Sequence, residues 1–147
     1  MLVMCAVSDG RFEVRTSESE AFEDATVHCS GAIATDNGWQ RVEHASLRTL
    51  SRAADVAALY DGFDAVGLQY GPGYRTLVKA WGGPSDALAR LRTRSTHEGT
   101  QVHPADLDDA LCTSGVMASS GGDGETRLPF AVAGAQLEGT MGALWAV

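Results

Sequence analysis

The residues best placed for acid–base chemistry lie between Val102 and Ala118, in the run V-H-P-A-D-L-D-D-A-L-C-T-S-G-V-M-A. Pro104 suits the first position of a helix, where its missing N–H would go unpaired anyway. From there Leu107, Ala110, Leu111, Ser114 and Ala118 recur at helical spacing, which predicts one narrow apolar or small face. Asp108 falls ~100° round from Leu107, at the edge of that face, and Cys112 stands one turn above it. A carboxyl group at such an edge can exchange a proton with a bound substrate. It can equally be a solvated acid near the helix start, where the dipole favours negative charge. A second group is Tyr70-Gly71-Pro72-Gly73-Tyr74. Glycines flanking a proline fix a turn and let backbone approach a ligand closely. The alternative is a plain turn into a short helix with Tyr74 and Leu77 in the core; Tyr70 fits either reading, and Tyr74 is expected in the core.

The elements that must hold these groups follow from local pattern. Leu2–Val7 is apolar, Asp9-Gly10 is a two-residue hairpin turn, and Arg11–Thr16 alternates with Phe12 and Val14 on one face. Ser17–Asp24 reads as a polar loop, and Ala25–Ala34 as a strand with Val27, Cys29 and Gly31 on one face. Thr35–Ser51 reads as a polar connection containing an Asn37-Gly38 turn. Asp55 is an N-cap candidate for a short helix through Tyr60, with Asp61-Gly62 as its stop. Thr76–Trp81 and Ala87–Thr93 are strands joined by the turn cluster Gly82–Asp86; Leu88 and Leu91 break strict alternation, so a bulge is expected. Ser119–Glu125 is a glycine-serine loop without the Lys-Ser/Thr end of a phosphate-binding loop. Leu128–Leu137 and Thr140–Val147 read as closing strands.

Composition narrows the class. The 147 residues suit one domain, and 44% hydrophobic content suffices for a core. A net charge of −8, with Lys79 the only lysine, argues against nucleic acid as a partner. No apolar run approaches the roughly 18 residues of a membrane span. Met1–Val7 is too short for a signal peptide and lacks a basic start. Cys5, Cys29 and Cys112 are odd in number and lack metal-ligand spacing. They read as reduced thiols of a cytoplasmic protein with no metal site.

Three segments together resemble the polyketide synthase dehydratase family. His103-Pro104 leading into Leu107-Asp108-x-Ala110-Leu111 is similar to the signature of the helix that carries that family's catalytic Asp, which places Asp108 in that role. Upstream, Gly67–Arg75 resembles the Tyr-Gly-Pro-x-Phe-Arg segment; downstream, Leu128-Pro129-Phe130 followed by Gly134 resembles the Leu-Pro-Phe-x-x-x-Gly strand. The resemblance implies an α+β hotdog fold, an antiparallel sheet wrapped around a central helix, as part of a double hotdog. Residues 1–35 would close a first hotdog, 36–62 form a linker with a short helix, and 63–147 make most of a second. It further implies Tyr70, Gly71, Pro72, His103, Pro104 and Cys112 around the substrate, and no cofactor beyond the phosphopantetheine arm of an acyl carrier protein. Polyketide synthase modules would be partners, and a homodimer is possible.

The family eliminates water from a 3-hydroxyacyl chain by pairing an Asp acid with a His base. That histidine belongs to a His-x-x-x-Gly-x-x-x-x-Pro signature, which His28, His44, His97 and His103 do not form. His28 is therefore expected to be an ordinary strand histidine. Where the family usually has an orienting Gln or His four residues after the Asp, this chain has Cys112. The expectation is a piece of a dehydratase (hydro-lyase) that is inactive alone. The alternatives are a non-catalytic hotdog module that binds carrier protein, or a small hotdog thioesterase.

Overall fold

Asp9 and Gly10 both take positive φ, 52° and 71°, as a tight hairpin turn requires. They close β1 (Leu2–Ser8) onto β2 (Arg11–Ser17), and β3 (Thr26–Ala32) pairs antiparallel with the other edge of β2. Register aligns Cys5, Val14 and Cys29 in one row and Val7, Phe12 and Gly31 in the next. The Phe12 ring fills the space above Gly31, where a Cβ would come within 2.5 Å of it. A bulge between Val14 and Arg15 sets Val27 opposite Arg15. It removes Val27 from the face of Cys29 and Gly31 that simple alternation assigns to it. His28 meets the Thr16 hydroxyl across the strands, Nε2 to Oγ1 2.7 Å, in an exposed position. These strands belong to one unit, Met1–Gln40; the second is Arg41–Val147. The structure is a computed structural model that describes residues 1–34, 42–95, 98–100, 102–117, 128–136 and 143–147.

The second unit corrects several expectations. Within the stretch read as a polar connection, Thr35–Ser51, lies α1 (His44–Leu50), and β4 (Arg52–Ala54) follows directly after it. Their partners are distant in sequence, so no local pattern reports them. The His44 ring stacks on Trp145 at 4.6 Å, and the Arg48 guanidinium sits 5.8 Å from both the Trp81 and Trp145 rings. Asp55 caps α2 (Val56–Ala65) as expected, accepting from the Ala57 and Ala58 N–H groups at 2.9 and 3.2 Å. The helix does not stop at Asp61-Gly62. Packing of Tyr60 and Phe63 outweighs the ~1 kcal/mol penalty of a helical glycine. It ends at Gly67 (φ 89°), whose N–H donates to the Asp64 carbonyl while Leu68 N–H donates to that of Phe63. α2 thus runs past residue 62, and the two compact units meet at Gln40/Arg41.

The sheet runs β4-β5-β6-β7, all antiparallel, with β5 Leu77–Gly82, β6 Ala87–Leu91 and β7 Trp145–Ala146. On one face Leu77, Ala80, Ala89 and Leu91 pack with Tyr60 into the core, joined by Leu59 and Phe63. Trp81 pairs with Leu88 on the other face, beside α1. Coverage on both faces explains why Leu88 and Ala89 are both buried and alternation fails. The bulge lies on the partner strand, between Leu77 and Lys79. Leu128–Gln136 forms no strand, and Phe130 there is fully exposed; Leu137, residues 140–142 and the loop 119–125 lie outside the described residues. Among the described residues, no helix is long and apolar enough to cross a membrane.

Helix α3 (Pro104–Cys112), continued by a 3₁₀ turn Thr113–Val116, begins where Pro104 predicts. Its buried face is nevertheless the opposite of the expected one. Ala105, Asp106, Asp109 and Thr113 are buried, whereas Leu111 and Ser114 are exposed.

Two glycine substitutions test this packing in opposite directions. A Cβ on Gly82 would stand 1.7 Å from the Val116 carbonyl oxygen, so Gly82→Ala should destabilise by at least about 1–3 kcal/mol. Gly62, exposed inside α2 with nothing within 4 Å of a Cβ, should gain about 0.5–1 kcal/mol as Gly62→Ala. Urea melts of the two variants check both signs.

Candidate active site

His103 starts α3 by accepting the Ala105 N–H on its Nδ1 at 3.1 Å. The ring proton is then on Nε2, which lies 3.6 Å from the Glu98 carboxylate. His103 and Pro104 thus form the helix start. Behind them, Asp106 is buried and receives both its hydrogen bonds from Arg94 Nε, at 2.9 and 3.0 Å. Arg94 also donates to the Gly73 carbonyl at 3.0 Å. One guanidinium therefore joins the head of α3 to the 3₁₀ turn Pro72–Tyr74 that follows Gly71.

Asp109 is the most deeply held acid, with no solvent exposure. Tyr60 donates its hydroxyl to Oδ1 at 2.8 Å; the Thr76 N–H and hydroxyl both donate to Oδ2. Leu77 N–H in turn donates to the Tyr60 oxygen at 3.3 Å. Burial and the bond to Asp109 push the Tyr60 phenol well above its ordinary range.

Asp108 points elsewhere. It is half-buried, and among the described residues its carboxyl makes no hydrogen bond. Burial, and secondly the charge of Asp109, raise its affinity for a proton. Both effects favour the neutral carboxyl over the ionised one. One turn on, Cys112 Sγ lies 3.1 Å from the Tyr70 hydroxyl. Burial pushes the Cys112 thiol up to about 11, although its contact with Tyr70 pulls the other way. Tyr70 is raised by burial and then by Cys112. The structure thus brings Tyr70, Asp108 and Cys112 together. Gly71 and Pro72 lie on the adjoining turn, which Arg94 fastens to α3. Tyr74, expected in the core, is 47% exposed, while Leu77 is buried as expected.

Sequence reasoning missed Asp106, Asp109, Tyr60, Thr76 and Arg94. A signal existed: Ala105, Asp106, Asp109 and Thr113 also recur at helical spacing. Two acids on that stripe made the Leu107–Leu111 stripe look like the buried one. Among the described residues, no group of three or more His, Cys, Asp or Glu side chains is arranged to hold a metal ion.

Residues 40–147, which contain this whole arrangement, match the family model of the polyketide synthase dehydratase N-terminal domain. The chain belongs to the polyketide synthase dehydratase family. Polyketide synthase ThaG of Burkholderia thailandensis is 32% identical over 140 residues, covering 89% of this chain and 2% of that protein. Polyketide synthase PksN of Bacillus subtilis is 29% identical over 133 residues, covering 84% of this chain and 2% of that protein. Among solved structures, the dehydratase domain from the CurF module of curacin polyketide synthase superposes with a TM-score of 0.71 at 18% identity, over 96% of this chain and 54% of that one. The fold is the α+β hotdog that the motifs implied. The chain thus spans about half the length of that solved domain and a small part of each synthase.

The site yields two stability tests. Tyr60→Phe leaves buried Asp109 short of a donor and should cost about 1–3 kcal/mol. Tyr70→Phe, which loses only a contact to a thiol, should cost less than about 1 kcal/mol. Asp108 binds its proton more tightly folded than unfolded, so its ionisation opposes folding. That penalty is absent below the unfolded value near ~3.9, grows as pH rises through it, and is complete above the folded value. Asp108→Asn should therefore melt higher than wild type at about pH 7, with the gap closing toward about pH 3. Thermal melts across that range check the sign.

Proposed function

We propose that this chain carries the acid half of a polyketide synthase dehydratase site and works within a larger synthase. The reaction is elimination of water from a 3-hydroxyacyl chain held on the phosphopantetheine arm of an acyl carrier protein, giving an enoyl thioester. A base removes the C2 proton, acidified by the thioester carbonyl, while Asp108 delivers a proton to the departing C3 hydroxyl. The observation that carries this reading is Asp108 itself. Within the span matched by the family, it is a half-buried carboxyl whose proton affinity is raised by burial and by Asp109. That is the state a general acid needs when substrate arrives. Tyr70, Gly71, Pro72, His103, Pro104 and Cys112 line the substrate's approach in this reading.

The solved CurK dehydratase supports a two-residue mechanism: variants with one histidine replaced by phenylalanine, or one aspartate by asparagine, are inactive. Asp108 matches the aspartate of the family signature, and no histidine of this chain matches the base signature. Losing one positioned acid or base costs about 10²–10⁴-fold, so the 147 residues alone should turn over little substrate. The chemistry in this reading draws on no dissociable cofactor or metal. The partners are an acyl carrier protein and neighbouring synthase modules, the location is the cytoplasm, and dimerisation would follow the assembly of the synthase.

The test joins a base-bearing hotdog half upstream of this chain. The isolated chain and the fusion are incubated with a 3-hydroxyacyl carrier-protein thioester, and loss of water is followed by mass spectrometry. The fusion should eliminate water, Asp108→Asn in it should abolish elimination, and Cys112→Gln should raise the rate because an amide orients a carboxyl group better than a thiol. Robust turnover by the isolated chain would overturn the reading, since it would require another base. Thioester hydrolysis in place of elimination would point to a hotdog thioesterase.

A further inference from the structure

The reading of Asp108 as an acid leaves a second acid, one residue on, without a role. Asp109 is completely buried, and both its oxygens accept: Oδ1 from Tyr60, Oδ2 from the Thr76 N–H and hydroxyl. Because Leu77 N–H donates to the Tyr60 oxygen, the phenol proton is free to point at Asp109. Three donors and no acceptor around one carboxyl group is the arrangement of a carboxylate. The nearby cations are engaged elsewhere. Arg94 holds Asp106 and the Gly73 carbonyl, and Arg75 lies 5.4 Å over the Tyr60 ring while donating to the Tyr70 carbonyl. An apolar side chain would fill such a site at lower cost than a buried charge.

We infer that Asp109 is the positioning residue of this site: a buried anion, tied to α2 through Tyr60 and to the head of β5 through Thr76, that fixes the rotation of α3 and sets a negative charge beside Asp108. The inference rests on the proposed role of Asp108 as the acid. The groups around Asp108 fit it. On α3 they are Asp109 and Cys112; from the segment before the 3₁₀ turn comes Tyr70; Tyr60 of α2 is turned to Asp109. No cation among the described residues pairs with Asp108. Burial first, and Asp109 second, raise the proton affinity of Asp108, and the same charge adds to the upward displacement of Cys112 and Tyr70. A fixed negative charge beside a second carboxyl group favours the neutral form of that second group.

The experiment follows the Asp108 carboxyl carbon by NMR titration in the 147-residue chain, in wild type, Asp109→Asn and Tyr60→Phe. Asp109→Asn should move the Asp108 midpoint to lower pH and make Cys112 react with iodoacetamide at lower pH. Tyr60→Phe keeps the charge and loosens the tether. It should lower the melting temperature while leaving the Asp108 midpoint where it is. An unchanged midpoint in Asp109→Asn overturns the inference, because Asp109 would then be a packing residue only. So does a midpoint in Tyr60→Phe that falls to that of an ordinary exposed aspartate, and this arm decides the matter alone if Asp109→Asn does not fold. Since the readout is titration, a fusion that eliminates no water would sink the proposed function without touching this result.

Discussion

The structure around the site depends on one constraint: a carboxylate placed in the core must find its donors there. Asp109 finds them on α2 and at the entry to β5, so one side chain joins three elements through hydrogen bonds. A buried hydrogen-bonded charge is expensive to leave short of a partner, far more so than an apolar contact is to loosen. Tyr60, Thr76 and Asp109 therefore form a set whose members fix one another. The aromatic cluster of Tyr60, Phe63 and Tyr70, with ring centroids 5.5–6.4 Å apart, packs around this set and excludes water from it.

The second tether works at the head of the same helix. Arg94 is a planar donor shared between Asp106 and the Gly73 carbonyl, so the turn after Gly71 and the first turn of α3 cannot move independently. Tyr70 enters the site just before that turn and meets Cys112 at the other end of the helix. Asp108 is thus framed from both ends by groups whose own positions are held by polar contacts, while its own carboxyl makes no hydrogen bond among the described residues.

Local chemistry was legible in the sequence wherever the cause is local. Asp9-Gly10 turns because its backbone must take positive φ, Asp55 caps because its oxygen reaches two N–H groups, and Pro104 starts α3 because it lacks an N–H to lose. What escaped has its cause far along the chain. Residues 44–50 look like a connection until Trp81 and Trp145 are brought beside His44 and Arg48. Gly62 looks like a stop until Phe63 and Tyr60 find the sheet. The partners of Asp109 were not legible, because Tyr60 and Thr76 are 49 and 33 residues away.

The inverted face of α3 follows from the same physics. Hydrophobic periodicity assumes that burial is driven by apolar area, and on that assumption Leu107 and Leu111 belong inside. Here the inner stripe is Ala105, Asp106, Asp109 and Thr113, small or polar, and each polar member has a named partner. An apolar stripe tolerates small rotations of a helix, because dispersion contacts are numerous and interchangeable. Directional hydrogen bonds do not, since a few tens of degrees separate a good bond from none. A helix held by directional bonds presents Asp108 at one angle. The chain thus gives up apolar burial on α3 in exchange for a defined orientation of that carboxyl group.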